Sequence, residues 1–309
     1  MLLRRATIVL FPLAAATAVA TASPSSEPQV VAKVRVGKQP CAAAAANGLL
    51  WVTNFGSDSV SVIDPARNRA VGKQIRVGPK PCGIIAGAGS LWTHAYRGQE
   101  LDRINPRSRK VTRRIRIGFG SYDVLSAAGS IWVTNNTDNN VMRISPAANR
   151  VVKTIRTPGG PAGLAFAGGS VWVGSNMSNT VWRIDPATNR AKKLTVEGSN
   201  GPAWFSVEGD ILWVSNVPDG TVSRIDVSTG AVTATVKAGT QPVDGAVAPD
   251  GLVWIPNLGD GTVTRIDPAT AHIVGSLRVG KSPFVINVAF GDVWSPDYGG
   301  NQVWRIKTS

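Results

Sequence analysis

A few side chains in this sequence are of types that carry out acid, base or nucleophilic catalysis. His94, Ser121 and Asp123 could form a serine, histidine and carboxylate arrangement, in which the histidine removes the hydroxyl proton. No Gly-Xaa-Ser-Xaa-Gly turn surrounds Ser121, so the spacing permits this chemistry without requiring it. Asp244 and Asp297 are further carboxylates that, with Asp123, could assist a metal-bound water in a lyase or hydrolase reaction. His94, Asp123, Asp244 and Asp297 are therefore the catalytic candidates.

The two cysteines, Cys41 and Cys82, are of a type that forms disulfides or binds metal ions. His94 follows Cys82 closely, and two cysteines with one histidine suit the ligand preferences of zinc and copper. A fourth ligand is not evident in the sequence. We therefore predict no metal site and no cofactor, and a divalent metal only if the protein is a metal-assisted lyase or hydrolase.

The elements that must position these side chains follow an internal repeat. Tryptophans recur at intervals of 41, 40, 40, 41, 41 and 40 residues. They are Trp51, Trp92, Trp132, Trp172, Trp213, Trp254 and Trp294. One repeat contains four short β runs, 161–167, 170–176, 180–185 and 191–197, separated by turn residues. Because four strands in about forty residues are typical of a propeller blade, we predict an all-β, seven-bladed β-propeller with four-stranded antiparallel blades.

The two ends of the sequence predict how the ring closes. Residues 34–40 nearly repeat residues 277–283, which read as the outer strand of a blade and its exit. The last repeat stops one strand short, after Ile306. An N-terminal strand, at about residues 30–37, should therefore complete the last blade and remove a free sheet edge.

The first residues read as an export signal. Arg4 and Arg5 precede an apolar run over residues 6–20, and small residues up to Ala22 suit a cleavage site. The run is too short for a membrane-spanning helix, and no later stretch is long and apolar enough. We predict a signal peptide over residues 1–22, a linker over 23–29 and one propeller domain over 30–309, in an exported protein that is periplasmic or extracellular.

In such a ring, the turns after the second strands and the connections between blades lie on one side of the disc, here called the top face. Cys41 and Cys82 occupy equivalent positions in neighbouring inner strands. Their Cα atoms should lie near the usual disulfide separation of about 5.5–6 Å. Export would place them in an oxidising compartment, so a disulfide between Cys41 and Cys82 is predicted.

Most aromatic residues outside the tryptophan repeat map to the top face. They include all three tyrosines, with Phe55, Phe119, Phe284 and Trp204. Aromatic side chains with a polar tip are common in ligand sites and protein interfaces. The predicted ligand-binding residues are Tyr96, Tyr122, Tyr298, Phe284, Asn135 and Asp297. The alternative is that some of these rings only fill the channel.

The repeat motif resembles the YVTN-type propeller repeat, a set related to streptogramin (virginiamycin B) lyases. Trp51-Val52-Thr53-Asn54 and Trp132-Val133-Thr134-Asn135 carry this resemblance. It implies the seven-bladed fold, but its members include both enzymes and non-catalytic proteins. The lyases use histidine and glutamate with a divalent metal on the top face of late blades. Here the positions three residues after each repeat tryptophan contain no glutamate, and blades five to seven supply no histidine there.

The formal net charge of +14 could attract anionic polymers or an acidic cell envelope. Much of this charge falls on outer strands, where it also discourages sheet-to-sheet aggregation. Our main expectation is a monomeric propeller that binds an unidentified protein or small molecule through its top face. The alternatives are a metal-assisted lyase or hydrolase at the channel mouth, and binding of an anionic polymer through the basic rim.

Overall fold

The computed structural model describes residues 27–308. The predicted signal peptide and the first part of the predicted linker lie outside the described residues. Apolar residues alternating with polar ones, broken by Gly, Asn and Asp turns, fold into short antiparallel strands. These strands form seven separate sheets arranged as blades around a central channel, which confirms the predicted seven-bladed propeller.

The first described strand is β1 (Gln29–Arg35), and the blades then follow in chain order. Blade 1 contains β2 (Pro40–Ala46), β3 (Leu49–Asn54), β4 (Ser59–Asp64), β5 (Arg69–Ala70) and β6 (Ile75–Arg76), with a 3-10 turn over Phe55–Ser57. Blade 2 contains β7 (Pro81–Gly87), β8 (Ser90–Ala95), β9 (Glu100–Asn105) and β10 (Lys110–Arg116). Blade 3 contains β11 (Ser121–Ala127), β12 (Ser130–Asn135), β13 (Asn140–Ser145) and β14 (Arg150–Arg156).

The remaining blades repeat this pattern with small variations. Blade 4 contains β15 (Pro161–Ala167), β16 (Ser170–Ser175), β17 (Thr180–Ile184) and β18 (Ala191–Thr195). Blade 5 contains β19 (Pro202–Glu208), β20 (Ile211–Asn216), β21 (Thr221–Asp226) and β22 (Val232–Lys237). Blade 6 contains β23 (Ala246–Val247), β24 (Val253–Asn257), β25 (Thr262–Asp267) and β26 (His272–Arg278). Blade 7 contains β27 (Asn287–Ala289), β28 (Asp292–Asp297) and β29 (Gln302–Lys307), with β1 as its outer strand.

The N-terminal strand closes the ring, as the sequence predicted. β1 pairs antiparallel with β29, with Val34 opposite Val303 and Arg35 opposite Gln302. The sheet order in blade 7 is β1-β29-β28-β27, so the outermost position is filled from the other end of the chain. The C-terminal part of the chain supplies only three strands of blade 7. Without β1, the outer edge of β29 would therefore be unpaired. Among residues 27–308, no helix is long and apolar enough to cross a membrane.

The core lies between blades, where each repeat tryptophan is fully buried. Trp92 of blade 2, for example, packs with Ile131 and Val133 of blade 3. A blade is only one sheet thick and cannot bury both of its faces alone. Packing each blade on its neighbours is therefore what makes the fold stable.

Arginines reinforce the contact between blades. Arg143 stands 5.0 Å from the ring centroid of Trp132 in its own blade. Its Nη1 donates to the carbonyl of Pro186 at 2.6 Å and to Oδ1 of Asn189 at 2.9 Å, both in the next blade. Arg305 makes the same pair of bonds from blade 7 to blade 1, across the closure of the ring. These arginines therefore join successive blades at the bottom face.

The inner strands of blades 6 and 7 are short, and this shortness shapes the channel. β23 has two residues and β27 has three, whereas the inner strands of blades 1 to 5 have seven. The loops ahead of them pair with each other instead: Asp244 forms a parallel bridge with Val285. This pairing brings Asp244 and Phe284 into the channel wall.

We predict that the arginine links contribute measurably to stability. Arg143→Lys should lower the free energy of unfolding by about 1–3 kcal/mol, because the single nitrogen of lysine cannot bond Ser130 of its own blade and also reach Pro186 and Asn189 of the next, as Nε and Nη1 of arginine do. Arg224→Lys is the matched control, since Arg224 occupies the same position but its Nη1 bonds Thr233 within its own blade. Urea denaturation of both variants would check this, and an equal loss in the two would contradict it.

Candidate functional site

Six aromatic side chains form a closed ring at the top mouth of the channel, here called the aromatic crown. In order around the ring they are Phe55, Tyr96, Tyr122, Trp204, Phe284 and Tyr298. Each ring contacts the next, with centroid separations between 5.7 and 6.1 Å. Such separations are those of favourable aromatic pairs, so the crown is a continuous structure.

Three kinds of position supply the crown. The first kind is the residue directly after the second strand of a blade, which is Phe55 in blade 1, Tyr96 in blade 2 and Tyr298 in blade 7. Tyr122 and Trp204 lie in the inner strands β11 and β19. Phe284 comes from the loop ahead of the short strand β27. Five of the seven blades therefore contribute, and the ring exists only in the closed propeller.

Blade 4 supplies no aromatic ring to the crown, but its small residues leave room for a ring from blade 5. Trp204 of blade 5 lies against Gly163, where a Cβ would come within 2.9 Å of the indole atom Cε3. Ala162, beside this glycine, is buried in one cluster with Trp204. Small residues at this point let the indole reach Tyr122, whose ring it stacks on at a centroid distance of 5.7 Å.

The crown encloses a cavity of about 220 Å³. Cys41 and Cys82 line this cavity with the six rings. The two cysteines form a disulfide between blades 1 and 2, with their Cα atoms 5.0 Å apart. The disulfide therefore ties together two blades whose aromatic residues, Phe55 and Tyr96, are neighbours in the crown.

A second cavity, here called the acidic chamber, lies next to the first and has a volume of about 250 Å³. Four residues line both cavities, namely Cys82, Tyr122, Trp204 and Phe284. The chamber adds the side chains of Asp123 and Asp244. The crown therefore shares a wall with a space that contains two carboxyl groups.

Backbone amides hold the first of these carboxyl groups. Asp123 accepts hydrogen bonds from the amides of Val124, at 2.7 Å, and Leu164 of blade 4, at 2.8 Å. Burial nevertheless outweighs these bonds and raises the pKa of Asp123 to about 7. Burial, and then the neighbouring charge of Asp123, raise the pKa of Asp244 well above its usual value.

His94 is a structural residue in this fold. Its side chain is 0% exposed. Nε2 accepts a hydrogen bond from the amide of Gly83 at 3.0 Å, and Nδ1 lies 3.0 Å from Oγ of Ser121, which donates to the carbonyl of Ala95. Both ring nitrogens are therefore engaged, in a neutral imidazole that donates from Nδ1. Burial lowers the pKa of His94 to about 4.

The structure brings His94 and Ser121 together but does not complete a catalytic triad. Asp123 binds the amides of Val124 and Leu164 with its two oxygens and faces the chamber. Ser121, like His94, is 0% exposed. A substrate in the channel would therefore have no access to this pair.

Two predicted binding residues lie away from the crown. Asn135 is fully buried, and its Nδ2 donates to the carbonyl of Ile117 at 2.8 Å. Asp297 is also buried, and its Oδ1 accepts from the amides of Lys281 and Ser282. Both side chains therefore hold the loops that enter their blades, and they support the top face from beneath.

Sequence reasoning placed Phe55, Trp204 and Phe119 on the top face without naming them as binding residues. Phe55 and Trp204 complete the crown, whereas Phe119 is 49% exposed and takes no part in the ring. The short inner strand of blade 7 leaves Phe284 in a loop at the channel wall, and the glycine beside Trp204 leaves room for its indole. Neither could be read from the spacing of aromatic residues.

The described residues do not form a metal centre of the kind that the resemblance of the repeat motif implies. Across residues 27–308, no group of three or more His, Cys, Asp or Glu side chains is arranged to hold a metal ion. Cys41 and Cys82 are joined to each other, and the nitrogens of His94 are both hydrogen-bonded.

We predict that His94 makes the fold sensitive to acid. The folded state keeps the imidazole neutral down to about pH 4, whereas the unfolded chain takes up the proton near the usual pKa of 6.5. The free energy of unfolding should therefore fall by up to about 3 kcal/mol, relative to His94→Gln, between pH 6.5 and 4. Urea denaturation of both proteins across this range would measure it, and a difference independent of pH would refute it.

The acidic chamber should have the opposite pH dependence. The raised pKa of Asp244 means that the folded state prefers its neutral form, so this side chain opposes folding increasingly as the pH rises above its usual pKa of 3.8. Asp244→Asn should raise the free energy of unfolding by on the order of 1 kcal/mol at pH 8, and by less as the pH approaches 4. Asp210→Asn, on an exposed turn, is the control. A gain that stays constant from pH 8 to pH 4 would show that charge in the chamber is not its cause.

Comparison with known proteins supports the architecture. No family model matches the chain, and no curated protein matches its sequence. Among solved structures, a streptogramin B lyase is similar with a TM-score of 0.79 and 16% identity, over 93% of this chain and 100% of that one. Virginiamycin B lyase from Staphylococcus aureus has a TM-score of 0.79 and 16% identity, over 91% of this chain and 99% of that one.

A protein from a different group is almost equally similar. The WD40 β-propeller domain of Doa1 has a TM-score of 0.78 and 11% identity, over 91% of this chain and 97% of that one. At these identities the similarity concerns the fold and not the chemistry. The chain therefore shares the seven-bladed propeller fold of the streptogramin lyases, as the repeat motif predicted.

Proposed function

We propose that this protein is an exported binding propeller that takes a small ligand into the aromatic crown and does not transform it. The observation that carries this proposal is the closed ring of six aromatic side chains around a cavity of about 220 Å³. Ligand sites are typically concave, mostly apolar and supplied with a few polar groups.

The crown is not needed to fill the channel. The blades are already held together by seven buried tryptophans and by the arginine links. Rings that served only as a plug would close the space between them, but here they leave one cavity among themselves and a second next to it. Tyr96 is also 38% exposed, which leaves an apolar ring in contact with solvent. Exposed aromatic surface of this kind is typical of a binding site.

The cavity is suited to a small ligand. Its volume lies below the range of about 300–1,000 Å³ that is usual for sites of drug-sized molecules. Burial raises the pKa of the Tyr122 and Tyr298 hydroxyls, so both stay neutral and can donate or accept hydrogen bonds at physiological pH. A compact apolar group with one polar or charged end would use both properties.

The lyase alternative has less support from the geometry. It needs a histidine that reaches the channel, and His94 is buried with both nitrogens occupied. The fold does not decide between the two roles, because lyases and a WD40 domain are similar to this chain to nearly the same degree. We therefore base the proposal on the crown and not on the fold.

A panel of small compounds would test the crown as a binding site. We expect at least one of cyclohexanol, benzoate, choline and 3,3-dimethylbutan-1-ol to bind, as detected by ligand-observed NMR. Tyr96→Ala should weaken that binding at least tenfold, because it removes a ring that contacts both Phe55 and Tyr122. Tyr96→Phe keeps the ring and should retain affinity within about threefold.

Phe290→Ala is the matched control, because Phe290 is an exposed ring in the turn between β27 and β28, on the opposite face. It should leave binding unchanged. If no compound in the panel binds, or if Phe290→Ala weakens binding as much as Tyr96→Ala, the crown is not the site.

A further inference from the structure

The crown and the acidic chamber together define the charge of the ligand. We infer that the site takes a small organic cation, of the quaternary ammonium type, whose charged end is held within the aromatic crown above Asp123 and Asp244. This inference rests on the proposed function of the crown as a binding site. It adds the chemical class of the ligand.

The size of the crown is the first argument. Six centroids joined by edges of 5.7–6.1 Å place the centre of the ring no more than about 6 Å, on average, from each aromatic ring. A cation within about 6 Å of an aromatic centroid is attracted by the electron density of the ring face. One cation at the centre would therefore lie, on average, about 6 Å from the six ring centroids.

A cation of the protein already uses one of these rings. The ammonium group of Lys80 stands 5.2 Å from the centroid of Phe55. Lys80 is not among the residues that line the crown cavity, so it contacts the crown without occupying its centre. A ring of the crown therefore already makes a cation–π contact within the protein.

The charges around the two cavities are the second argument. The chain carries a net charge of +14, yet within residues 27–308 neither lysine nor arginine lines the crown cavity or the acidic chamber. The ionisable carboxyl groups there are those of Asp123 and Asp244. In their ionised form these carboxyl groups would repel an anion in this space, whereas they would attract a cation.

The shared wall between the two cavities is the third argument. Cys82, Tyr122, Trp204 and Phe284 line both, so the lower edge of the crown is also the wall of the chamber. Burial of two carboxyl groups in one chamber disfavours their ionisation, as the raised pKa values of Asp123 and Asp244 indicate. A bound cation would attract the negative charges of Asp123 and Asp244 and would therefore favour their ionised forms.

A choline titration at pH 8 would test the inference on the full chain. Its uncharged analogue, 3,3-dimethylbutan-1-ol, has the same shape with carbon in place of the ammonium nitrogen. We expect calorimetry to give a Kd for choline at least ten times lower than the Kd for the analogue. Tyr96→Ala should weaken the binding of choline at least tenfold.

Asp244→Asn provides the decisive variant. It removes one chamber charge while keeping the shape of the side chain, and the amide suits a site that favours the neutral carboxyl. Choline should bind at least tenfold more weakly to Asp244→Asn, whereas the neutral analogue should bind unchanged. Asp210→Asn alters the net charge equally at an exposed turn and should leave both affinities as they are.

The other outcomes separate this inference from the proposed function. If the analogue or benzoate binds as tightly as choline, and Tyr96→Ala still abolishes binding, the cation inference fails while the crown remains a binding site. If Asp210→Asn weakens choline binding as much as Asp244→Asn, the effect is one of net charge and the inference fails as well. If no compound binds in a crown-dependent way, both proposals fail.

Discussion

The whole structure depends on the contact between neighbouring blades. A single four-stranded sheet exposes two faces, so each blade must bury its tryptophan against the next one. The arginines then link a blade to the turn of its neighbour, and Arg305 repeats this link across the point where the chain ends meet. Because β1 supplies the outer strand of blade 7 and continues into β2 of blade 1, the chain itself joins the last blade to the first. Closure of the ring is therefore a condition for every feature at the channel mouth.

The crown illustrates this dependence. Its six rings come from five blades, and their positions along the chain run from Phe55 to Tyr298. Hydroxyl groups on the second strands also position the chain that enters the next blade. Thr134 donates to the carbonyl of Ala162, and Ser215 donates to the carbonyl of Val243. The outer rim of the disc is rich in basic residues while the channel contains carboxyl groups, so the local field and not the net charge decides what the channel attracts.

Several residues of catalytic type serve the fold instead. His94 and Ser121 are hydrogen-bonded to each other and to backbone groups inside the protein. At the strand ends, Asn135 and Asp297 hydrogen-bond the loops that lead into their blades. Polar groups buried in this way must be hydrogen-bonded, and the sharp turns at the top face supply amides and carbonyls that need partners. Residue type and spacing alone did not distinguish this role from a functional one.

The sequence by itself determined the blade count, the strand order within a blade and the closure of the ring, because a regular spacing of tryptophans and turn residues is a local property of the chain. It also placed the three tyrosines on one face. Only the tertiary structure decided which aromatic residues meet, since this depends on the short inner strands of blades 6 and 7 and on the space beside Gly163. Only the tertiary structure likewise shows that Asp123 and Asp244 line the same cavity. These carboxyl groups are 121 residues apart, and only the closed ring brings them into one chamber.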